Sequence, residues 1–161
     1  FILCVGSREA EGSCTGCSRY CCPTAIKQAT LLAKRGIDTT VFYRDIRTVS
    51  GGAEEMYREA RGLGVLFVRV PPDRKPEIVS NGRAEAVRCH DELLDRTVEV
   101  PTDLVILSVG MRPRQPDTKN LHEMLKASVG LDGFFLERHP ELAPVETAVE
   151  GVLLAGTALG P

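Results

Sequence analysis

The cysteines of this chain are crowded at its start. Five of the six fall within the first 22 residues, and the remaining 139 of the 161 residues hold only Cys89. Secreted disulfide-rich domains are short and spread their cysteines along the chain, so this distribution favours a metal or redox site over a disulfide framework. The crowded residues are Cys4, Cys14, Cys17, Cys21 and Cys22.

Cysteine spacing alone leaves three kinds of site open. An iron–sulfur cluster takes four soft thiolate ligands, and structural zinc also accepts four thiolates. The neighbouring pair Cys21 and Cys22 is awkward for zinc, whose ligand pairs are usually separated by about two to four residues. The third reading is a redox-active dithiol formed by Cys14 and Cys17, which have the Cys-x-x-Cys spacing.

The crowded cysteines lie on a predicted strand, on the loop that follows it and at the start of a predicted helix. Residues 1–6 have the composition of a buried strand, and Pro23 suits the first turn of a helix. Cys21 and Cys22 then lie at a helix N-terminus, where exposed N–H groups and the helix dipole favour a thiolate. Cys4 ends the strand and, in a βα unit, faces the same crevice. We therefore expect the strand end, the loop and the helix start to converge.

The rest of the chain predicts an α/β fold. Strand patterns at 37–43 and 65–70 enclose a helical pattern at 53–62, which indicates a parallel sheet with crossover helices. Short alternating segments then follow, and Asn81-Gly82 between the first two is a strong hairpin turn, so an antiparallel meander is expected on the sheet. The last predicted elements are a fully buried strand at 103–110, a surface loop at 111–120, a short helix at 121–127 and a strand at 151–155.

Composition excludes several classes of partner. The chain is 43% hydrophobic and 26% charged, as in ordinary globular domains, and it has no apolar run long enough to span a bilayer. A net charge of -2, no Trp and 5% aromatic residues argue against a nucleic-acid surface. We expect no nucleic-acid and no membrane partner, and a cytoplasmic location.

The two ends of the chain lie close to predicted strands. The sequence opens directly on a strand pattern and stops just after the last one, with no initiator Met or leader segment. We therefore expect it to be a piece of a longer polypeptide, so the whole function need not reside in these residues.

Several short segments of the sequence resemble motifs of one known family. The order of elements resembles the pyridine-nucleotide domain of two-dinucleotide-binding flavoproteins such as thioredoxin reductase. More specifically, Cys17-Ser-Arg-Tyr-Cys21-Cys22, Tyr43-Arg-Asp-Ile-Arg47 and Gly133-Phe-Phe-Leu-Glu-Arg-His139 resemble the A subunit of heterodisulfide reductase. This resemblance spans residues 1–161. It implies a three-layer Rossmann-like FAD/NAD(P)-binding fold, with 1–161 as a single pyridine-nucleotide-domain-like fragment and the last strand, 151–157, as a candidate part of the FAD half.

The resemblance also implies a cofactor and its ligands. In that family a Cys-x12-Cys-x3-Cys-Cys pattern holds a [4Fe-4S] cluster, and here the pattern falls on Cys4, Cys17, Cys21 and Cys22. Cys14 is then a bystander, although it could replace Cys17 as a ligand or pair with it. The implied function is electron transfer between a flavin and this cluster, in a flavin-dependent oxidoreductase whose isolated fragment is inactive. The alternatives are a zinc-stapled binding module and a Cys-x-x-Cys dithiol–disulfide oxidoreductase.

The remaining implications concern nucleotides and partners. Gly156 and Thr157 stand where the superfamily contacts FAD, a role reserved for the full-length protein. Gly6 alone remains of the glycine fingerprint that binds a pyrophosphate, so NAD(P) binding is not expected. The implied partners are other heterodisulfide reductase subunits and ferredoxin-like electron carriers, in a full-length homo-oligomer. The charges of Arg8 and Arg19 would raise the potential of such a cluster by offsetting the negative charge of its four thiolates, and the alternative is that both are solvated surface charges. Cys89 is expected to be a packed thiol.

Overall fold

The computed structural model describes residues 1–9 and 16–160. It divides into two compact units, one made of Phe1–Val5 and Arg19–Val109, the other of Gly6–Ser18 and Gly110–Pro161. In the described ranges, no helix is long and apolar enough to cross a membrane. The elements are β1 (Ile2–Val5), α1 (Cys21–Ala33), β2 (Thr40–Tyr43), α2 (Ala53–Gly62), β3 (Leu66–Arg69), β4 (Glu77–Ser80), β5 (Ala84–Asp91), β6 (Arg96–Pro101), β7 (Leu107–Val109), α3 (Gln115–Leu125) and a 3-10 turn (Gly156–Ala158).

The first unit contains a parallel sheet in the order β3-β2-β1-β7 and an antiparallel sheet in the order β4-β5-β6. Parallel strands require connections long enough to cross over the sheet, and α1 and α2 provide them between β1, β2 and β3. The tight turn at Asn81-Gly82 joins β4 to β5, with the Asn81 N–H donating to the Arg83 carbonyl oxygen at 3.2 Å. The predicted α/β fold with a parallel sheet and an antiparallel meander is therefore confirmed.

Both faces of the parallel sheet are covered. On one face α1 and α2 pack through Ile26, Ala29 and Ala60, all at most 1% exposed, against the strands. On the other face Val87 and Cys89 of the meander pack against strands β1 and β2. A parallel sheet has apolar side chains on both sides, and the layer order helix, parallel sheet and meander buries those of β1 and β2.

Helix α1 begins where its sequence predicts, with Cys21 and Cys22 at its N-terminus and Pro23 in its first turn. Its first residue is Cys21, and Pro23 is the third helical residue. Pro is tolerated there because the first N–H groups of a helix have no partner within the helix. The helix stops after Ala33, and Gly36, at φ +75°, donates its N–H to the Ala33 carbonyl oxygen at 2.9 Å.

Two predictions around residue 110 are wrong. The strand predicted as fully buried over 103–110 is shorter, and its Leu107 and Val109 side chains are 48% and 55% exposed, because β7 lies at the edge of the sheet. The loop predicted over 111–120 contains the start of α3, which begins at Gln115. Pro116 lies in the first turn of that helix, where proline is favoured, and therefore marks a helix start instead of a loop.

The strand predicted over 151–155 is also wrong. In the second unit this segment forms one isolated bridge between Glu146 and Leu153, and then enters the 3-10 turn. The Leu154 N–H donates to the Val145 carbonyl oxygen at 2.7 Å, and the intervening residues turn tightly through Gly151, at φ +80°. Because this apolar run hydrogen-bonds to the residues just before its own turn, it forms a short hairpin. Leu154 packs in a small core with Ala127 and Phe135.

Candidate metal centre

Cys4 lies at an irregular point of the central strand. Ile2 pairs with Leu107 and Val5 with Val109, so β1 has one residue more than β7 over the same stretch, which is a β-bulge. Within the bulge Cys4 adopts φ +60°, a left-handed conformation that costs a non-glycine residue energy. Bulges re-aim side chains beside functional sites, and a buried cysteine held in this conformation is a candidate for such a role.

The first turn of α1 lies over the carboxyl end of β1. The Tyr20 phenol donates to the carbonyl oxygen of Val109, the last residue of β7, at 3.1 Å. The Cys22 thiol lies 3.9 Å from the carbonyl oxygen of Asp45, two residues after β2. Because β1 lies between β2 and β7 in the sheet, these two contacts bring Cys21 and Cys22 to the end of β1 that carries Cys4.

The three thiols of this strand–helix junction are buried. Cys4, Cys21 and Cys22 are 5%, 5% and 2% exposed, and the first and last belong to one apolar cluster. The first turn of α1 has no acidic residue and no side-chain cap. The positive end of the helix dipole at this turn has no competing carboxylate in the turn and favours negative charge on a nearby sulfur, whereas burial opposes it.

Cys17 belongs to the second unit, where it is half-buried. The Arg8 N–H donates to the Gly16 carbonyl oxygen at 3.1 Å. Arg8 adopts φ +56°, so the backbone turns sharply at this residue. The prediction for Cys14 falls outside the described residues.

The donor set fits a thiolate-bound group in type, burial and charge. Iron–sulfur clusters and zinc both take deprotonated cysteines, and three buried cysteines lie on the strand and the helix of one junction. Across residues 1–9 and 16–160, no three Cys, His, Asp or Glu side chains are grouped at metal-binding distances. The cysteines therefore fit such a group in their donor chemistry and in their position at the strand–helix junction. That four of them bind one group remains a prediction.

Comparison with known proteins identifies the relatives of this chain. No protein-family profile matches it. The iron-sulfur A subunit of the CoB–CoM heterodisulfide reductase of Methanocaldococcus jannaschii is 45% identical over 167 residues, which cover 100% of this chain and 25% of that protein. The second such A subunit of Methanopyrus kandleri is 42% identical over 166 residues, with the same shares covered. The chain is a relative of the heterodisulfide reductase A subunit.

Other relatives extend this result. The A subunit of the H(2):CoB-CoM heterodisulfide,ferredoxin reductase of Methanothermobacter thermautotrophicus is 40% identical over 165 residues. The chain spans about a quarter of the length of these curated heterodisulfide reductase subunits. The predicted resemblance to this family, from residue 1 to residue 161, is confirmed.

A solved structure shares the fold of this chain. Thioredoxin reductase of T. acidophilum superposes with a TM-score of 0.54 at 16% identity, over 99% of this chain and 44% of that one. At this identity the match speaks for the fold alone. It confirms the predicted Rossmann-like architecture of the thioredoxin reductase type.

The predicted flavin residues lie in the second unit. Gly156 begins the 3-10 turn with φ +61°, and Thr157 follows it, both exposed. A Cβ added to Gly156 would have no atom within 4 Å, so the space beside it is open. Their role toward FAD stays a prediction.

Sequence reasoning missed a buried polar group next to Cys17. Ser7 and Ser18 are 1% and 2% exposed, and the Ser18 hydroxyl accepts the Met111 N–H at 2.8 Å. Gly110, beside Met111, approaches both serines closely. The only signal in the sequence is a glycine directly after an apolar run, and a single sequence does not show which residues it meets about a hundred positions away.

Proposed function

We propose that this chain is the segment of a heterodisulfide reductase A-type, FAD-dependent oxidoreductase that binds a [4Fe-4S] cluster and passes electrons between it and the flavin. Cys4, Cys17, Cys21 and Cys22 are the proposed ligands. One observation carries the proposal: three buried cysteines lie on β1 and on the first turn of α1, which begins over the end of that strand, in a chain 45% identical to a protein named an iron-sulfur subunit.

The residues at this junction have separable tasks. Cys4, Cys21 and Cys22 would bind iron through their thiolates, and the apolar cluster around Cys4 and Cys22 keeps water away from them. The N–H groups of the first turn of α1 offset the negative charge that four thiolates bring. When bound, the cluster supplies one-electron transfer at a potential set by charge, hydrogen bonds to sulfur and exposure.

The wider function follows from the relatives. The names of the methanogen proteins state that they act on the CoB–CoM heterodisulfide and, in some, on ferredoxin. By extension we propose other heterodisulfide reductase subunits and ferredoxin-like carriers as partners of the full-length protein, which we propose to be a homo-oligomer. Within it, Gly156 and Thr157 would contact FAD.

Metal analysis of chain prepared without oxygen tests the cluster. After reconstitution with iron and sulfide, we expect about four iron and four sulfide per chain. Replacing any one of Cys4, Cys17, Cys21 or Cys22 with Ser should lower the iron content. Cys89→Ala is the matched control, because Cys89 is equally buried but packs on the other face of the sheet.

The other outcomes of this experiment have distinct meanings. Zinc in place of iron would support a structural zinc module and reject electron transfer. If Cys14→Ser loses iron and Cys17→Ser retains it, Cys14 is the ligand in place of Cys17. Thiol–disulfide exchange that disappears in both Cys14→Ser and Cys17→Ser, without any bound metal, would favour the dithiol oxidoreductase.

A further inference from the structure

The backbone is anchored on both sides of Cys17. On one side the Gly16 carbonyl oxygen accepts the Arg8 N–H at 3.1 Å. On the other, the Ser18 hydroxyl accepts the Met111 N–H at 2.8 Å, and Ser18 is only 2% exposed. Such a hydrogen bond is costly to break when its acceptor is buried, because the acceptor cannot turn to water instead. Cys17 therefore lies between two fixed residues, although it belongs to neither a helix nor a strand.

The anchor at Ser18 depends on a close approach by Gly110. A Cβ on Gly110 would lie 2.6 Å from the Ser7 Cβ and 3.2 Å from the Ser18 oxygen. The φ of Gly110 is not positive, so its backbone conformation is open to other residues. The lack of space beside Ser7 and Ser18 is thus what requires glycine at this position.

We infer that Ser18 and Gly110 are positioning residues for Cys17, acting through the backbone that carries it. The inference rests on the proposed function and deepens it. A ligand sulfur must be held to about half an ångström, and loops hold their residues less firmly than helices and strands do. Cys4, Cys21 and Cys22 are held by β1 and α1, whereas Cys17 relies on the Arg8–Gly16 and Met111–Ser18 hydrogen bonds.

Cluster release measures the positioning role. In the reconstituted chain, Ser18→Ala should speed the transfer of iron to a chelator by about tenfold, within the range that loss of an outer-shell contact produces at metal sites. It should also shift the reduction midpoint potential and the electron paramagnetic resonance signal of the reduced cluster. A purely structural role would leave the potential and the spectrum unchanged.

Thr147→Val is the matched control for Ser18→Ala. Thr147 lies in the same unit, is 4% exposed and accepts the Val149 N–H through its hydroxyl at 3.1 Å. The Thr147 hydroxyl also lies 3.0 Å from the carbonyl oxygens of Val149 and Val152, so this variant loses at least as much hydrogen bonding as Ser18→Ala, away from the cysteines in sequence. We expect it to lower the thermal midpoint of the metal-free chain at least as much as Ser18→Ala, with wild-type iron release and potential.

A second pair of variants tests the close approach. Gly110→Ala alone should speed iron release as Ser18→Ala does, and Ser7→Gly added to it should restore slow release, since it removes the nearest clashing carbon. If wild-type chain binds iron while Ser18→Ala and Gly110→Ala match Thr147→Val in release rate and potential, this inference is overturned. If wild-type chain takes up no iron at all, the proposed cluster function fails first, and the positioning role with it.

Discussion

Burial alone does not make a cysteine reactive in this protein. Cys89 is 4% exposed, like the cysteines of the strand–helix junction, but it packs with Val87 in the apolar cluster on the other face of the parallel sheet. Burial, and then the charge of Asp91, raise the pKa of the Cys89 thiol to about 11. This thiol is therefore neutral and inert at physiological pH, which agrees with its predicted role as a packed side chain.

Alkaline pH should destabilise the chain through Cys89. Its folded-state pKa, about 11, lies above the ordinary pKa of 9.0 for a cysteine thiol, so the protonated thiol stabilises the fold below pH 9. That contribution is lost as pH rises from 9 to 11, by at most about 2–3 kcal/mol. Urea unfolding across this range should show a steeper fall in wild-type chain than in Cys89→Ala.

The difference between the two chains isolates this residue, because all other titrating groups are the same in both. Equal slopes between pH 9 and pH 11 would mean that Cys89 ionises as freely in the folded state as in the unfolded one. The alkylation rate of Cys89 at pH 8 gives an independent check, and it should be low until the chain unfolds.

At the scale of the element, β1 combines two demands in four residues. It must pair with β2 and β7, and it must bend so that Cys4 lies in the bulge at φ +60°. The left-handed conformation is one that glycine adopts without penalty and alanine does not. The strand therefore holds strain at its one cysteine.

Substitution at Cys4 should reverse the ordinary preference of a strand. In metal-free chain, Cys4→Gly should be more stable than Cys4→Ala by ~1 kcal/mol, because glycine relieves the backbone. Urea unfolding of the two variants measures this difference. Val41 of β2, fully buried and without positive φ, is the control: there the Ala variant should be the more stable, by about 0.5–1 kcal/mol. The same order at both positions would contradict the strained bulge.

Elements governed by local periodicity could be predicted, and those governed by distant partners could not. Helix α2 has the predicted bounds, 53–62, because Ala53 and Ala60 lie on one face and the capping glycines flank it. The exposed edge position of β7 depends on which strands pair with it. The sequence of residues 103–110 does not indicate those partners. The convergence of Cys4 with Cys21 and Cys22 follows from βα connectivity alone, whereas the contact of Ser18 with Met111 joins positions 93 residues apart.

At the scale of the whole molecule, this chain spans about a quarter of its relatives, so the flavin proposal belongs to the full-length protein. There, Gly156→Ala should lower the FAD content per polypeptide, because the added carbon enters the space beside the proposed flavin contact. Gly151→Ala is the control: Gly151 also has positive φ and open surroundings, so the backbone penalty is similar. Flavin absorbance of the purified full-length variants measures the difference. Equal FAD contents would reject the proposed contact of Gly156 with FAD.

The position of β1 inside the sheet has a consequence for how the centre is assembled. The strand with Cys4 is flanked by β2 and by β7, and β7 is more than a hundred residues away along the chain. Such distant pairings form only when most of the chain has come together. Zinc fingers fold around their metal, but here the polypeptide would complete its architecture before iron arrives.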